Sequence, residues 1–231
     1  ADIYTANPEY YGEFVLDSAI GRLEEQNSLQ NALAIVSKNS SLYFNSASAS
    51  FSRDVDPRSV ANIRALQNAG DVFLSGSEDK VSNLNHVKVA ENYVGESGSV
   101  LHYRGLVQGS NNSFVDVIHS ETASGTSKVS FGDDHSKIPV SGIFKEARGE
   151  KTLQSEGIPI FVIADKGLEV NQLRLEMQPF GVVAKDNEAY KWIYSLGYND
   201  EEQQRTWVLY NSDDKDYYEP LVPPKEEENL V

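Results

Sequence analysis

Residues 56–70 read Asp56-Pro57-Arg58-Ser59-Val60-Ala61-Asn62-Ile63-Arg64-Ala65-Leu66-Gln67-Asn68-Ala69-Gly70, and the reading of this stretch decides the fold. A proline just after an Asp suits the first turn of a helix, where its missing N–H is no loss. Val60, Ile63 and Leu66 line one face at helical spacing, and Gly70 stands where a C-terminal cap belongs. The pattern predicts a helix over 57–68 with a narrow apolar face, suited to lying on a sheet.

Upstream, Asn7-Pro8 offers a second helix opening, and Phe14, Leu16, Ile20 and Leu23 recur at roughly helical spacing. Gly12 and Gly21 work against that helix. Residues 29–36 suit a short helix or a strand equally, whereas 43–51 alternate as a strand does, with serines opposite Tyr43, Ala47, Ala49 and Phe51.

Downstream of Asp71 the period becomes two. Strands are predicted over 72–74, 87–89, 100–107, 114–119, 128–131, 138–144, 158–164, 173–177, 181–184, 190–196 and 206–210. Gly, Asn, Asp and Ser clusters part them at about eight to twelve residues, the spacing of sandwiches and barrels. Two hairpins stand out, 100–107 with 114–119 and 190–196 with 206–210. Pro139 and Pro159 fit edge strands or first strand positions, where no ladder donor is lost. No internal repeat is visible. The expected fold is therefore α+β and β-rich, with mostly antiparallel sandwich- or barrel-like sheets, an N-terminal helical segment and the 57–68 helix. Residues 1–40 are read as a helical segment or arm, 41–211 as one β-rich domain, and 212–231 as an acidic, proline-containing tail.

The 231 residues include four histidines and no cysteine, with a formal charge of −15. Thiol nucleophiles, thiolate zinc sites and disulfides are excluded. The charge argues against nucleic acid or an anionic membrane as the main partner. No stretch approaches the roughly eighteen apolar residues of a spanning helix, so membrane insertion is not expected. Nearly half the net negative charge lies beyond Tyr198, which suits a disordered tail or an arm laid on a partner. Absent cysteines fit a virion, extracellular or periplasmic protein too large to need disulfides, and a cytosolic one equally. A chain opening on Ala1 suggests a removed initiator methionine or a cleaved leader.

Few residues offer chemistry. Glu96-Ser97-Gly98-Ser99 heads the first hairpin and His119 ends it, an order that can bring a nucleophile and a base together. The run from Glu96 to His119 resembles the cytotoxic-necrotizing-factor-like glutamine deamidases, in which a Ser-Gly-Cys element precedes a hairpin ending in histidine. The resemblance places Ser99 at the cysteine position and His119 at the histidine position, and implies an enzyme whose nucleophile has been replaced by serine. His102-Tyr103-Arg104-Gly105 looks like the strand carrying the NAD-binding arginine of mono-ADP-ribosyltransferases. Their Glu-x-Glu turn has no well-placed counterpart, since Glu226-Glu227-Glu228 is in the tail and Glu176 in an expected strand. Arg104 is read instead as a cross-strand partner of Asp116.

Gly132-Asp133-Asp134-His135 offers metal donors, but consecutive turn residues cannot all face one ion, and a solvated turn is the better reading. The acids of 211–219 lack a calcium loop's spacing. Neither a metal nor a cofactor is expected. Tyr190, Trp192 and Tyr194 alternate on one strand with Trp207 on its partner. This row is one inner face of the core, or, if exposed, a platform for sugar rings. The favoured function is a non-catalytic structural or interaction protein, a virion or other extracellular assembly subunit binding copies of itself or other subunits. The rivals are the serine-substituted deamidase and a carbohydrate-binding β-sandwich.

Overall fold

The computed structural model describes residues 2–6, 9–45, 50–52, 55–76, 80–131, 152–164, 172–183, 190–201, 205–211 and 218–220. The Asn7-Pro8 opening, the 132–135 turn, the 138–144 strand and most of the 212–231 tail lie outside them. The strands in chain order begin with β1 (Asp2–Ala6), β2 (Tyr11–Leu16), β3 (Ala19–Leu23), β4 (Leu29–Val36), β5 (Ser41–Phe44) and β6 (Ser50–Ser52). There follow β7 (Asp56–Asn68), β8 (Asp71–Phe73), β9 (Asn85–Gly95), β10 (Val100–Tyr103), β11 (Gly105–Leu106), β12 (Phe114–Val115) and β13 (Val117–Phe131). The last are β14 (Ile158–Ile163), β15 (Gln172–Glu176), β16 (Phe180–Val183), β17 (Tyr190–Asp200), β18 (Arg205–Tyr210) and β19 (Tyr218–Pro220).

The fold is a coil of parallel strands, which overturns the α+β, mostly antiparallel expectation. One ladder runs β1, β3, β5, β8, β10 and the end of β13, every pair parallel. A second runs β2, β4, β7, β9 and the first part of β13, with β15 and β14 beyond it, again parallel throughout. Neighbours within a ladder are parallel because the chain winds once round the core between them, laying a strand in the other ladder on the way. Gly21, Leu42, Val72, Leu101 and Val129 stack in one column, and Phe14, Ala34, Leu66, Tyr93 and Ala123 in another. Gly21 apart, their side chains meet in one hydrophobic cluster that extends to Leu209. The internal repeat is thus real, with a period of about 20 to 30 residues as in other solenoids. It is hidden in the sequence because the connections differ in length.

Neither predicted helix exists; the only helical turns among the described residues are the three-residue 3₁₀ segments Val81–Asn83 and Gln154–Glu156. Residues 57–68 belong to β7, whose inward positions Ser59, Ala61, Ile63 and Ala65 alternate as a strand requires. Two features disguise that alternation. Serine and alanine fill most inward sites, and a register shift between Ile63 and Leu66 flips the parity, so Leu66 and Asn68 also face inward. The expected N-terminal helical segment is β2 and β3 meeting at a tight corner. Phe14 and Leu16 point in from one strand, and Ala19 and Leu23 from the next.

These corners are built from left-handed backbone. Ser18, Asn39, Gly98 and Gly125 have φ of 49°, 70°, 87° and 85°. Gly125 stacks on Gly95, and a Cβ at Gly125 would run into the Gly95 carbonyl oxygen. Only glycine meets both demands.

Beyond the short antiparallel pair of β6 with β7, antiparallel pairing gathers at the C-terminal end, where β18 pairs with β14 and β17, and β17 with β16 and β19. The second predicted hairpin is β17 and β18, Ser195 opposite Tyr210. The first shrinks to β11 and β12, while β10 and β13 run parallel. Inside, Tyr103, Phe131, Phe180 and Tyr194 stack in sequence at centroid separations of 5.1, 5.0 and 5.9 Å, carrying the core from the coil into the antiparallel end. Among the described residues, no helix is long and apolar enough to cross a membrane.

Candidate functional site

A set of polar side chains converges on the outer face of the second ladder, at the edge where β7, β9 and β13 begin. Alternation sends Val87 and Ile118 into the core, so His86 and His119 project outward from adjacent rungs. Asp56 Oδ2 lies 2.8 Å from His86 Nε2, and His86 Nδ1 lies 3.0 Å from His119 Nε2. The ring centroids are 5.2 Å apart with planes inclined by 22°. Facing nitrogens so much closer than the ring centres mean that the imidazoles meet edge to edge, along the axis of the bond. The proton inventory then follows. The Asp56 carboxylate accepts from His86 Nε2–H, and His86 Nδ1 accepts from His119 Nε2–H.

Arg58 fixes the far end of this array. Its Nε and Nη2 donate to the two Asp56 oxygens at 2.9 and 2.8 Å, the bidentate arrangement that a planar guanidinium favours. Nη1 donates to the Val115 carbonyl, and the guanidinium lies 5.7 Å from the centre of the Phe114 ring. The array therefore ties the sheet face to the excursion between β10 and β13. Burial alone would raise the Asp56 pKa, but hydrogen bonds from Arg58 and His86 outweigh it and hold the group at about 2. Burial, with Arg58 adding to it against the pull of Asp56, lowers the His86 pKa. His119 is pushed down to about 4 by burial, then by His86, Lys88 and Arg58. Both rings are neutral near pH 7.

A second cluster lies inside. Asp116, fully buried, accepts from the backbone N–H of Asn85 at 2.8 Å, from Ser75 Oγ at 2.7 Å and from the backbone N–H of Arg104 at 2.8 Å. Burial raises its pKa to about 6 against the pull of those donors. Arg104 and Asp116 are indeed neighbours, but the carboxylate binds the Arg104 backbone. The guanidinium donates to the Gly76 carbonyl. Asn85 donates to the carbonyls of Phe44 and Leu74. The cluster gathers the starts of three excursions at one point.

A third cluster occupies the corner and includes Ser99. Its Oγ, completely buried, donates to the Thr126 carbonyl at 3.1 Å and shares a 2.7 Å hydrogen bond with Ser127 Oγ. Ser127 Oγ in turn shares a bond with the Tyr93 hydroxyl at 2.7 Å, to which Asn68 Nδ2 donates at 3.3 Å. The structure does not bring Ser99 and His119 together. The partners of Ser99 are Thr126 and Ser127, whereas the ring of His119 meets His86. Between them lies the path along β13 from His119 to Ser127, roughly 25 Å at about 3.3 Å per residue.

Of the aromatic row, Trp192 is 9% exposed and Tyr194 fully buried, and Trp207 packs partly buried against the same core. The inner-face reading of Trp192 and Tyr194 holds, and neither tryptophan offers an open platform. Among the described residues no group of three or more His, Asp or Glu could hold a metal ion. Missed from the sequence were His86, Asp56 and Arg58 as companions of His119. No local spacing marks them, because the parallel register that aligns β7, β9 and β13 is their only link. No protein-family model matches the chain, and no curated protein is similar to it.

Proposed function

We propose that the chain is a non-catalytic structural or interaction protein, a subunit of an extracellular assembly such as a virion, whose partners are copies of itself or other protein subunits. The observation carrying this reading is the first rung. Among the described residues β1 and β2 pair on one side only, with β3 and β4. On them Tyr4, Tyr11 and Val15 are 48, 72 and 55% exposed, three of the five large hydrophobic side chains that face solvent among the described residues. A strand edge with no ladder partner among the described residues, beside apolar side chains, is a template for strand addition. The polar residues of the interior support the same reading, because Ser99 and Asp116 spend their hydrogen bonds on holding corners and excursions in place.

Sedimentation velocity across a wide concentration range tests the proposal. Association of the purified chain that rises with concentration, and falls in a Val15→Lys variant, is the expected result. A monomer at every concentration, or association that Val15→Lys leaves untouched, would refute it.

A further inference from the structure

Two imidazoles joined by one N–H···N bond constitute a counting device. The neutral pair has one proton between the facing nitrogens, as described above. A first added proton is accommodated without movement. His86 then carries both N–H groups, its Nε2–H bond to Asp56 becomes charge-assisted, and its Nδ1–H donates to His119 Nε2, whose own proton has moved to Nδ1. A second proton has no such place. Both facing nitrogens, only 3.0 Å apart, would carry hydrogens, and two like charges would face each other.

The surroundings sharpen this asymmetry. From β7 come Asp56 and Arg58, and from β9 comes Lys88, the register partner of His119. On the other side β14 contributes uncharged Val162. Among the described residues Asp56 is the carboxylate that pulls on both rings, already shared with Arg58, and the cations Arg58 and Lys88 oppose it. Asp116 points inward by alternation, toward Ser75, Asn85 and Arg104. What the pair holds is also defined. Through Asp56 and Arg58 it anchors the Val115 carbonyl and the Phe114 ring to the sheet.

We propose that the His86–His119 pair is an acid-operated latch, closed with at most one added proton, whose second proton parts the rings and releases residues 56–58 and 114–115 from the outer face of the sheet. The release is local, because the inward neighbours Val87, Ile118 and Phe161 are fully buried and untouched by it. The inference is independent of assembly. The lowered pKa of His119, about 4, and that of Asp56, about 2, place the second step where the aspartate remains charged.

The test uses the full chain between pH 7.5 and 3.5, with histidine ¹⁵N shifts and hydrogen exchange corrected for intrinsic rates. The expected result is two imidazole steps more than one pH unit apart. Protection of 55–60 and 112–117 should fall about tenfold per pH unit below the second step, as linkage to one proton requires. A His119→Gln variant, whose amide can still donate to His86, loses that slope. His102→Gln, altered elsewhere, keeps it. Two independent steps near 6.5 with both segments still protected at pH 3.5 would overturn the latch. So would a His119→Gln chain that opens with the wild-type slope. Should that variant fail to fold, the shifts and exchange of the unaltered chain decide alone.

Discussion

Replacing Asp116 by Asn should uncover a pH dependence that the unaltered protein conceals. Two buried groups titrate over the same window with opposite signs. His119 goes from 6.5 unfolded to about 4 folded, so the unfolded chain binds more protons there. Its contribution is complete above the unfolded value and is lost as pH falls toward 4. Asp116 goes from 3.8 to about 6, so the folded chain binds more protons, and its contribution is present below 3.8 and lost as pH rises through 6. At about 1.4 kcal/mol per unit, each shift amounts to roughly 3 kcal/mol, somewhat less for the partly exposed His119. These two nearly cancel between pH 4 and 6, leaving the climb that His86, its pKa also lowered, adds in the same sense as His119. Asp116→Asn removes the falling component, so stability should then climb with pH by about 2 to 3 kcal/mol more across that range. His119→Gln should do the opposite. Urea denaturation at half-unit intervals of pH reads both slopes. An Asp116→Asn chain whose profile parallels the original would refute the reasoning, whatever its absolute stability.

Three further outcomes are expected. Gly125→Ala places a Cβ against the Gly95 carbonyl at a left-handed φ of 85°, and should cost about 3 kcal/mol or more in urea unfolding. A cost below 1 kcal/mol would mean the corner is not as tight as drawn. Tyr93→Phe removes a buried hydroxyl bonded to Ser127 and Asn68, and should cost about 1 to 2 kcal/mol by the same measurement, with Ser99→Ala falling nearer 1. Trp192 should resist acrylamide quenching more than Trp207 does, measured on single-tryptophan variants, because it sits 9% exposed in the shared core.

Sequence patterns located most strands downstream of Asp71, since Val72, Val87, Val89, Leu101, Val129 and Leu173 are large inward residues whose alternation is plain. They failed where the inward residue was small or the phase slipped. In β7 the spacing of Val60, Ile63 and Leu66 combines an outward residue, an inward one, and one displaced by a bulge, so a helical period arises from a broken strand period. In β2 and β3 the corner at Asp17-Ser18 resets the phase in the same way. Parallel register was invisible for a different reason. Strands that neighbour each other in space lie a full turn of the coil apart in sequence, and the connecting lengths vary. For that reason Ser99 and His119, joined by a hairpin on paper, belong to different clusters. The same distance kept Asp56, a helix opener in the linear reading, apart from the histidines it serves.

The asymmetry of the corners has a consequence for how such a chain can change. Where the second ladder passes to the first, the chain turns within a few residues, and backbone atoms of successive turns nearly touch at Gly95 and Gly125. Where the first passes back to the second, excursions of unequal length leave and return without altering the spacing of the rungs. One flank is therefore a fixed spine, and the other a margin on which peptides could be grafted, at residues 109–113 for instance, while the pitch of the spiral stays the same.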